Sequence, residues 1–87
     1  MKFKNIKGGT QKDAYKKFPW LEKAVFENAE IDITNCYLVW EGGFWEYGVW
    51  REGIWQDGTW EDGFMWDNIN QKYQRVVRKG EKFEIEQ

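Results

Sequence analysis

Apolar and polar positions recur in this 87-residue chain at a step of five. Tryptophan stands at Trp40, Trp45, Trp50, Trp55 and Trp60, and glycine keeps the same step at Gly43, Gly48, Gly53, Gly58 and Gly63. A helix would repeat its apolar positions about every 3.6 residues and a strand about every two, so neither accounts for the pattern. Glycine in every unit would also cost a helix roughly 1 kcal/mol each time. A step of five fits a chain that turns a corner in each unit. Glycine takes the positive φ of the corner, and the acids of Glu52-Gly53, Asp57-Gly58 and Asp62-Gly63 suit the turn before it. Between corners lie short extended segments such as Val49-Trp50-Arg51.

A second apolar row, Phe44, Val49, Ile54, Thr59 and Phe64, immediately precedes the tryptophans. Neighbouring residues of an extended segment point to opposite faces, so the two rows cannot share one interior. Glycine opposite tryptophan leaves room for the ring. That places Trp40, Trp45, Trp50, Trp55 and Trp60 in the repeat core. Phe44, Val49, Ile54 and Phe64 then face outward, where contiguous apolar surface marks an interface.

The flanks read as different elements. Met1–Ile6 alternates as a strand that Gly8-Gly9 closes. Thr10 and Asp13 form a capping box, so a helix starts at Gln11 and ends near Phe18, ahead of Pro19. Ala14, Tyr15 and Phe18 would cover one open end of the repeat, continued by Leu21, Ala24 and Val25. Tyr73, Arg75 and Val77 alternate, Lys79-Gly80 turns, and Phe83 and Ile85 alternate again, which predicts a hairpin. The resulting division is an N-terminal cap (1–23), a pentad-repeat β body (24–70) and a C-terminal β-hairpin (71–87), all one domain.

In its Gly43-Phe44-Trp45, Gly48-Val49-Trp50, Gly53-Ile54-Trp55 and Gly58-Thr59-Trp60 units the chain resembles the pentapeptide-repeat proteins. Ala24-Val25-Phe26, Ala29-Glu30-Ile31 and Thr34-Asn35-Cys36 look closer still to the ordinary pentad, and put Cys36 in the core. The register slips between Cys36 and Trp40, and again after Trp60, where Met65 takes the expected position and Trp66 stands beside it. The likeness spans residues 24–66, and is nearest to short Gly-x-Trp-x-x repeat proteins of tailed phages. It implies a mainly β fold: a short right-handed β-solenoid of square section, one pentad per side. The body would make about two coils, with a short N-terminal helix and a C-terminal hairpin. Stacked short β-hairpins, as in MORN-like repeats, are the alternative. So short a coil leaves an end for the hairpin or a second copy to cover, hence a possible homodimer.

Composition narrows the chemistry. The chain has no histidine and no serine, which removes the commonest general base and the commonest hydroxyl nucleophile. No Cys/His metal spacing and no phosphate-cradling glycine loop occurs, so neither catalysis nor a cofactor is expected. Mean hydropathy is −0.86, and no run approaches the roughly 20 apolar residues of a membrane helix. The start of the chain lacks the apolar stretch of a secretory signal, and one cysteine suits a reducing compartment. A cytoplasmic location is expected, the host cytoplasm for a phage protein.

The net charge of −2 hides a segregation. Residues 1–23 carry seven lysines against two acids, and residues 24–70 carry ten acids against Arg51 alone. Such a body steers basic partners and disfavours direct nucleic-acid binding. The acids at Glu46, Glu52, Asp57, Glu61 and Asp62 would line the corners as a negative face. In pentapeptide-repeat proteins a comparable surface mimics duplex DNA. The resemblance thus implies a bacterial protein partner, a nucleic-acid-handling or defence protein inhibited by charge mimicry. Exposed tryptophans would instead suit a small ligand, a nucleotide signal or a glycan. A virion structural component is the third expectation.

Overall fold

The computed structural model describes residues 2–79 and 82–86, a mainly β fold with one short helix. The capping box forms as the sequence predicts. Thr10 Oγ1 accepts from the Asp13 N–H (3.3 Å), and the Asp13 carboxylate accepts from the Thr10 N–H (2.9 Å). The helix, α1, spans Gln11–Lys17. Phe18 caps it at φ −130, outside helical geometry, as a residue before proline is driven to be. A 3-10 turn over Pro19–Lys23 follows. Ala14, Phe18, Leu21 and Ala24 are buried as a lid, whereas Val25 is exposed.

The strands are β1 (Phe3–Lys7), β2 (Val25–Asp32), β3 (Val39–Tyr47), β4 (Val49–Trp50), β5 (Ile54–Trp55) and β6 (Thr59–Trp60), followed by β7 (Asp62–Asp67), β8 (Lys72–Lys79) and β9 (Lys82–Glu86). They form two open sheets. One has the order β1-β2-β3-β5, with β6 also paired to β3; the other has the order β4-β7-β8-β9. Of the expected Lys79-Gly80 turn, Gly80 lies outside the described residues, as does Met1.

The repeat pairs with itself in parallel at one fixed offset. Val39 and Trp40 lie against Ile54 and Trp55, Phe44 and Trp45 against Thr59 and Trp60, and Val49 and Trp50 against Phe64 and Met65. Each pair is three pentads apart in sequence, not the four that a square turn implies. Trp40, Trp45 and Trp50 meet edge-on, with centroids 5.6, 5.7 and 6.2 Å apart. The next layer stacks flat upon them: Trp55 on Trp40 at 5.1 Å and 10°, Trp60 on Trp45 at 5.3 Å and 7°. The tryptophan row is therefore the inner one; Trp40, Trp45, Trp50 and Trp60 are buried and Trp55 half-buried.

Glycine at the corner is what admits these rings. A Cβ on Gly58, at φ +120, would stand 2.8 Å from the Gly43 carbonyl oxygen and 2.9 Å from Trp40 Nε1. The close corner leaves the Trp40 and Trp45 indole N–H groups without partners among the described residues. Each orphan N–H costs about 1–3 kcal/mol. Burying a ring of about 200 Å² returns roughly 5 kcal/mol, so burial wins.

Residues 24–36 depart from the pentad expectation. Phe26 and Ile31 are buried as predicted, but β2 runs antiparallel to β3 instead of coiling on. The Asp32 carboxylate accepts from the Thr34 N–H (2.8 Å) in the loop that reverses the chain. Cys36, expected in the core, is exposed on that loop. Phe26 still continues the aromatic column, parallel to Trp45 at 6.0 Å and 7°. At the other end β8 lies over the second layer, where Trp60 Nε1 donates to the Val76 carbonyl (2.9 Å) and the Arg78 N–H to the Glu61 carbonyl (3.0 Å).

Candidate functional site

The three pentads that pair at this fixed offset, those of β5, β6 and β7, end differently. The β6 side lies under β8, and β7 pairs with β8 along its outer edge. On the third side, β5 ends its sheet with no further strand among the described residues. Residues 69–70 would stack there if the repeat continued. Instead they belong to a turn that the Asp67 carboxylate organises. It accepts from the Ile69 N–H (2.9 Å), the Asn70 N–H (3.2 Å), the Asn70 side chain (2.8 Å) and Gln74 Nε2 (3.2 Å). These hydrogen bonds, those of Asn70 and Gln74 foremost, hold the Asp67 carboxyl at about 2. Gln71 completes the turn at φ 54.

Beside β5 opens a cleft of about 890 Å³. The inner residues Trp50, Trp55 and Met65 line it, together with Pro19 and Trp20 from the N-terminal lid and Trp66, Asn68 and Tyr73 from β7, its turn and β8. Trp20 packs edge-on to Trp50 at 5.2 Å, and Trp66 edge-on to Tyr73 at 5.0 Å. Asn68 Oδ1 accepts from the Trp66 indole N–H at 2.6 Å, which fixes that ring. The cleft's charged groups are Lys17, Arg51 and Glu52. The Lys17 ammonium already donates to the Ile33 carbonyl (2.8 Å). Arg51 is exposed, and its guanidinium has no ion pair or hydrogen bond among the described residues.

The residues singled out from the sequence are dispersed by this geometry. Asp62 accepts two hydrogen bonds from Arg75 (3.2 and 2.9 Å), whose guanidinium holds the Asp62 carboxyl below the ordinary aspartate value. Glu61 makes a 2.9 Å charge contact with Arg78, angled too poorly for a hydrogen bond. Asp57 faces a different, polar hollow of about 380 Å³ shared with Asn5, Lys7, Glu30, Glu41 and Gln56. Lys7 pairs there with Glu41 at 3.1 Å. Glu52 lines the aromatic cleft, and Glu46 is exposed at the end of β3. The five acids are thus divided among four corners, Glu61 and Asp62 sharing the last.

The apolar row divides likewise. Phe44 lies beside Thr59, Val49 beside Phe64 and Ile54 beside Val39, one pair on each side of the layered repeat. Val49 and Ile54 are exposed; Phe44 and Phe64 are half-buried. Trp20, Trp66 and Tyr73 were not anticipated as site residues. The available signal was that Trp20 and Trp66 are the two of seven tryptophans outside the five-residue step.

Among the described residues no group of three or more His, Cys, Asp or Glu is placed to hold a metal, and no helix is long and apolar enough to cross a membrane. No protein-family model, curated protein or solved structure matches the chain.

Proposed function

We propose that this chain is a non-catalytic binding protein that holds a partner polypeptide at the aromatic cleft. Residues 39–67 would form a short three-sided β-solenoid, akin to the pentapeptide-repeat and Gly-x-Trp phage proteins, that presents the cleft at its unroofed side. One observation carries the reading: Trp20, Trp66 and Tyr73 line one cleft with Trp50, Trp55 and an Arg51 that has no partner among the described residues. Tryptophan, tyrosine and arginine are the side chains over-represented where truncation most weakens protein–protein binding. Large rings lose few rotamers on binding, and an arginine held by no internal partner is free to meet an acidic one.

The partner class suggested by the phage resemblance is a bacterial nucleic-acid-handling or defence protein, bound in the cytoplasm. Mimicry of duplex DNA by a continuous acidic face draws less support, because Glu61 and Asp62 are already tied to Arg78 and Arg75. The test is affinity capture from bacterial lysate with three baits: the native chain, a Trp66→Ala/Arg51→Glu variant, and a Glu46→Lys/Asp57→Lys variant whose changes lie outside the cleft. A protein held by the first and third baits but lost from the second supports the cleft. Retention by all three, or loss from the acidic variant alone, contradicts it.

A second reading rests on the same cleft. Trp50 is only 5% exposed, yet its indole N–H, like that of Trp55, has no hydrogen-bond partner among the described residues. Indole donors beside Arg51 suit a planar anion such as a nucleotide. That reading predicts saturable tryptophan quenching by nucleotides, abolished in Arg51→Glu.

A further inference from the structure

The β5 strand carries an unused hydrogen-bonding edge. The Ile54 N–H donates to the Leu38 carbonyl (2.7 Å) and the Gln56 N–H to the Trp40 carbonyl (2.8 Å). In a parallel ladder the bonding residues alternate, so the N–H and C=O of Trp55 between them point away from β3. Nothing pairs with that side among the described residues. The ring of Trp55 lies in the cleft, and Ile54 beside it is 50% exposed. The residues that would continue the stack are drawn off into the Asp67 turn, leaving Ile69 92% exposed.

We infer that the partner polypeptide binds as an added strand, parallel to β5, in the layer position that residues 69–70 vacate. The inference rests on the polypeptide reading above and specifies how that chain is held. An open strand edge gives affinity through the main chain, while alternate side chains give selectivity. The column beneath dictates those side chains. Trp40 and Trp55 stack at 5.1 Å, so an aromatic residue continues the column inward. Val39 pairs with Ile54 outside them, so an aliphatic residue precedes it. Arg51 directly follows β4, three residues ahead of Ile54, and has no partner among the described residues, which calls for an acid ahead of the pair. The bound segment therefore reads acid, spacer, aliphatic, aromatic, the order in which Glu52-Gly53-Ile54-Trp55 itself runs.

The probe is a capped pentapeptide, acetyl-Asp-Gly-Ile-Trp-Gln-amide, and its ester analogue in which oxygen replaces the amide nitrogen of the glutamine. In parallel register that N–H donates to the Trp55 carbonyl, while the isoleucine carbonyl accepts from the Trp55 N–H. The ester keeps every side chain and removes one main-chain donor. Calorimetry on the native chain should show the amide peptide binding about tenfold more tightly than the ester, the size of one lost hydrogen bond. Hydrogen exchange at the Trp55 amide should slow when the amide peptide is bound. Equal affinity for the two peptides, no binding, or unchanged exchange at Trp55 overturns strand addition. A lysate partner that depends on Trp66 and Arg51 but is not displaced by the peptide overturns it too, while leaving the cleft reading intact. Self-association dispersed by the peptide would make a second copy the occupant, against the separate partner inferred here.

Discussion

Replacing Gly58 by alanine tests the physical link between glycine and tryptophan that the repeat embodies. The residue sits at φ +120, where a side chain is strained by about 1–3 kcal/mol. Its new Cβ would meet the Gly43 carbonyl oxygen at 2.8 Å and Trp40 Nε1 at 2.9 Å. One is backbone and the other belongs to a fully buried ring, so neither can move aside cheaply. Overpacking of that kind costs typically about 1–3 kcal/mol, for a total of about 2–6 kcal/mol. A chain of this length is stable by roughly 5–10 kcal/mol, so the loss is a large share. Gly42→Ala is the control. Gly42 has no positive φ, and the contact its Cβ would make is with the flexible end of Glu30, so its cost stays below about 1 kcal/mol. Thermal unfolding followed by tryptophan fluorescence should place the Gly58→Ala midpoint roughly 10–45 °C below the native one. Gly42→Ala should stay within a few degrees of it. Equal midpoints for the two variants would refute the argument.

Trp45→Ala empties the column between Phe26 and Trp60, both stacked on it at 7°, and should cost about 3–5 kcal/mol in urea unfolding; a loss below 1 kcal/mol would contradict the packing described. Asp62→Lys breaks a partly exposed pair with Arg75 and should cost about 1 kcal/mol. It should also speed amide exchange in β8, and unchanged exchange would mean the pair does not secure that strand. The Asp67 carboxyl is held at about 2, below the ordinary 3.8, so its hydrogen bonds stabilise the folded turn fully above pH 4. That contribution is lost as pH falls from 4 through about 2, and the protection of the Ile69 and Asn70 amides, relative to their intrinsic exchange at each pH, should fall over that interval. Titration of Asp67 near 3.8 in the folded chain would contradict it.

Much of the architecture was legible because local chemistry dictates it. Thr10, Asp13 and Pro19 delimit the helix to within a residue, and the Gly-x-Trp step assigns Trp40 to Trp60 to the interior. The number of pentads per turn was not legible. A step of five determines where corners fall but not which units pair, and the structure pairs units three pentads apart while Trp40, Trp45 and Trp50 meet edge-on. The direction of β2 was hidden for a similar reason. Phe26 and Ile31 satisfy the pentad burial pattern equally well in an antiparallel strand, and the Asp32–Thr34 turn decides the matter.

The site was the least legible part. Trp20, Trp55, Trp66 and Tyr73 are far apart in sequence and share no period; the layering and the two flanks bring them together. Arg51 registered in the sequence only as an interruption among acids, whereas in the fold it lines the aromatic cleft with no ion pair or hydrogen bond among the described residues. Glu61 and Asp62 showed the opposite behaviour. Conspicuous as acids beside the last corner glycine, they are partly neutralised by arginines of a strand that the sequence gives no reason to place over them.

The three-pentad offset is the central claim, since it sets Met65 against Trp50 and leaves β5 without a further strand among the described residues. Disulfide trapping tests it directly. Parallel neighbours lie about 4.8 Å apart, within the 4.4–6.8 Å between Cα atoms that a disulfide spans. In a Cys36→Ala background, Phe44→Cys with Thr59→Cys joins residues paired in register and should close an intramolecular bond under mild oxidation. Phe44→Cys with Phe64→Cys, four pentads apart, should remain reduced. Closure of the second pair and not the first would contradict the fold described and, with it, the cleft.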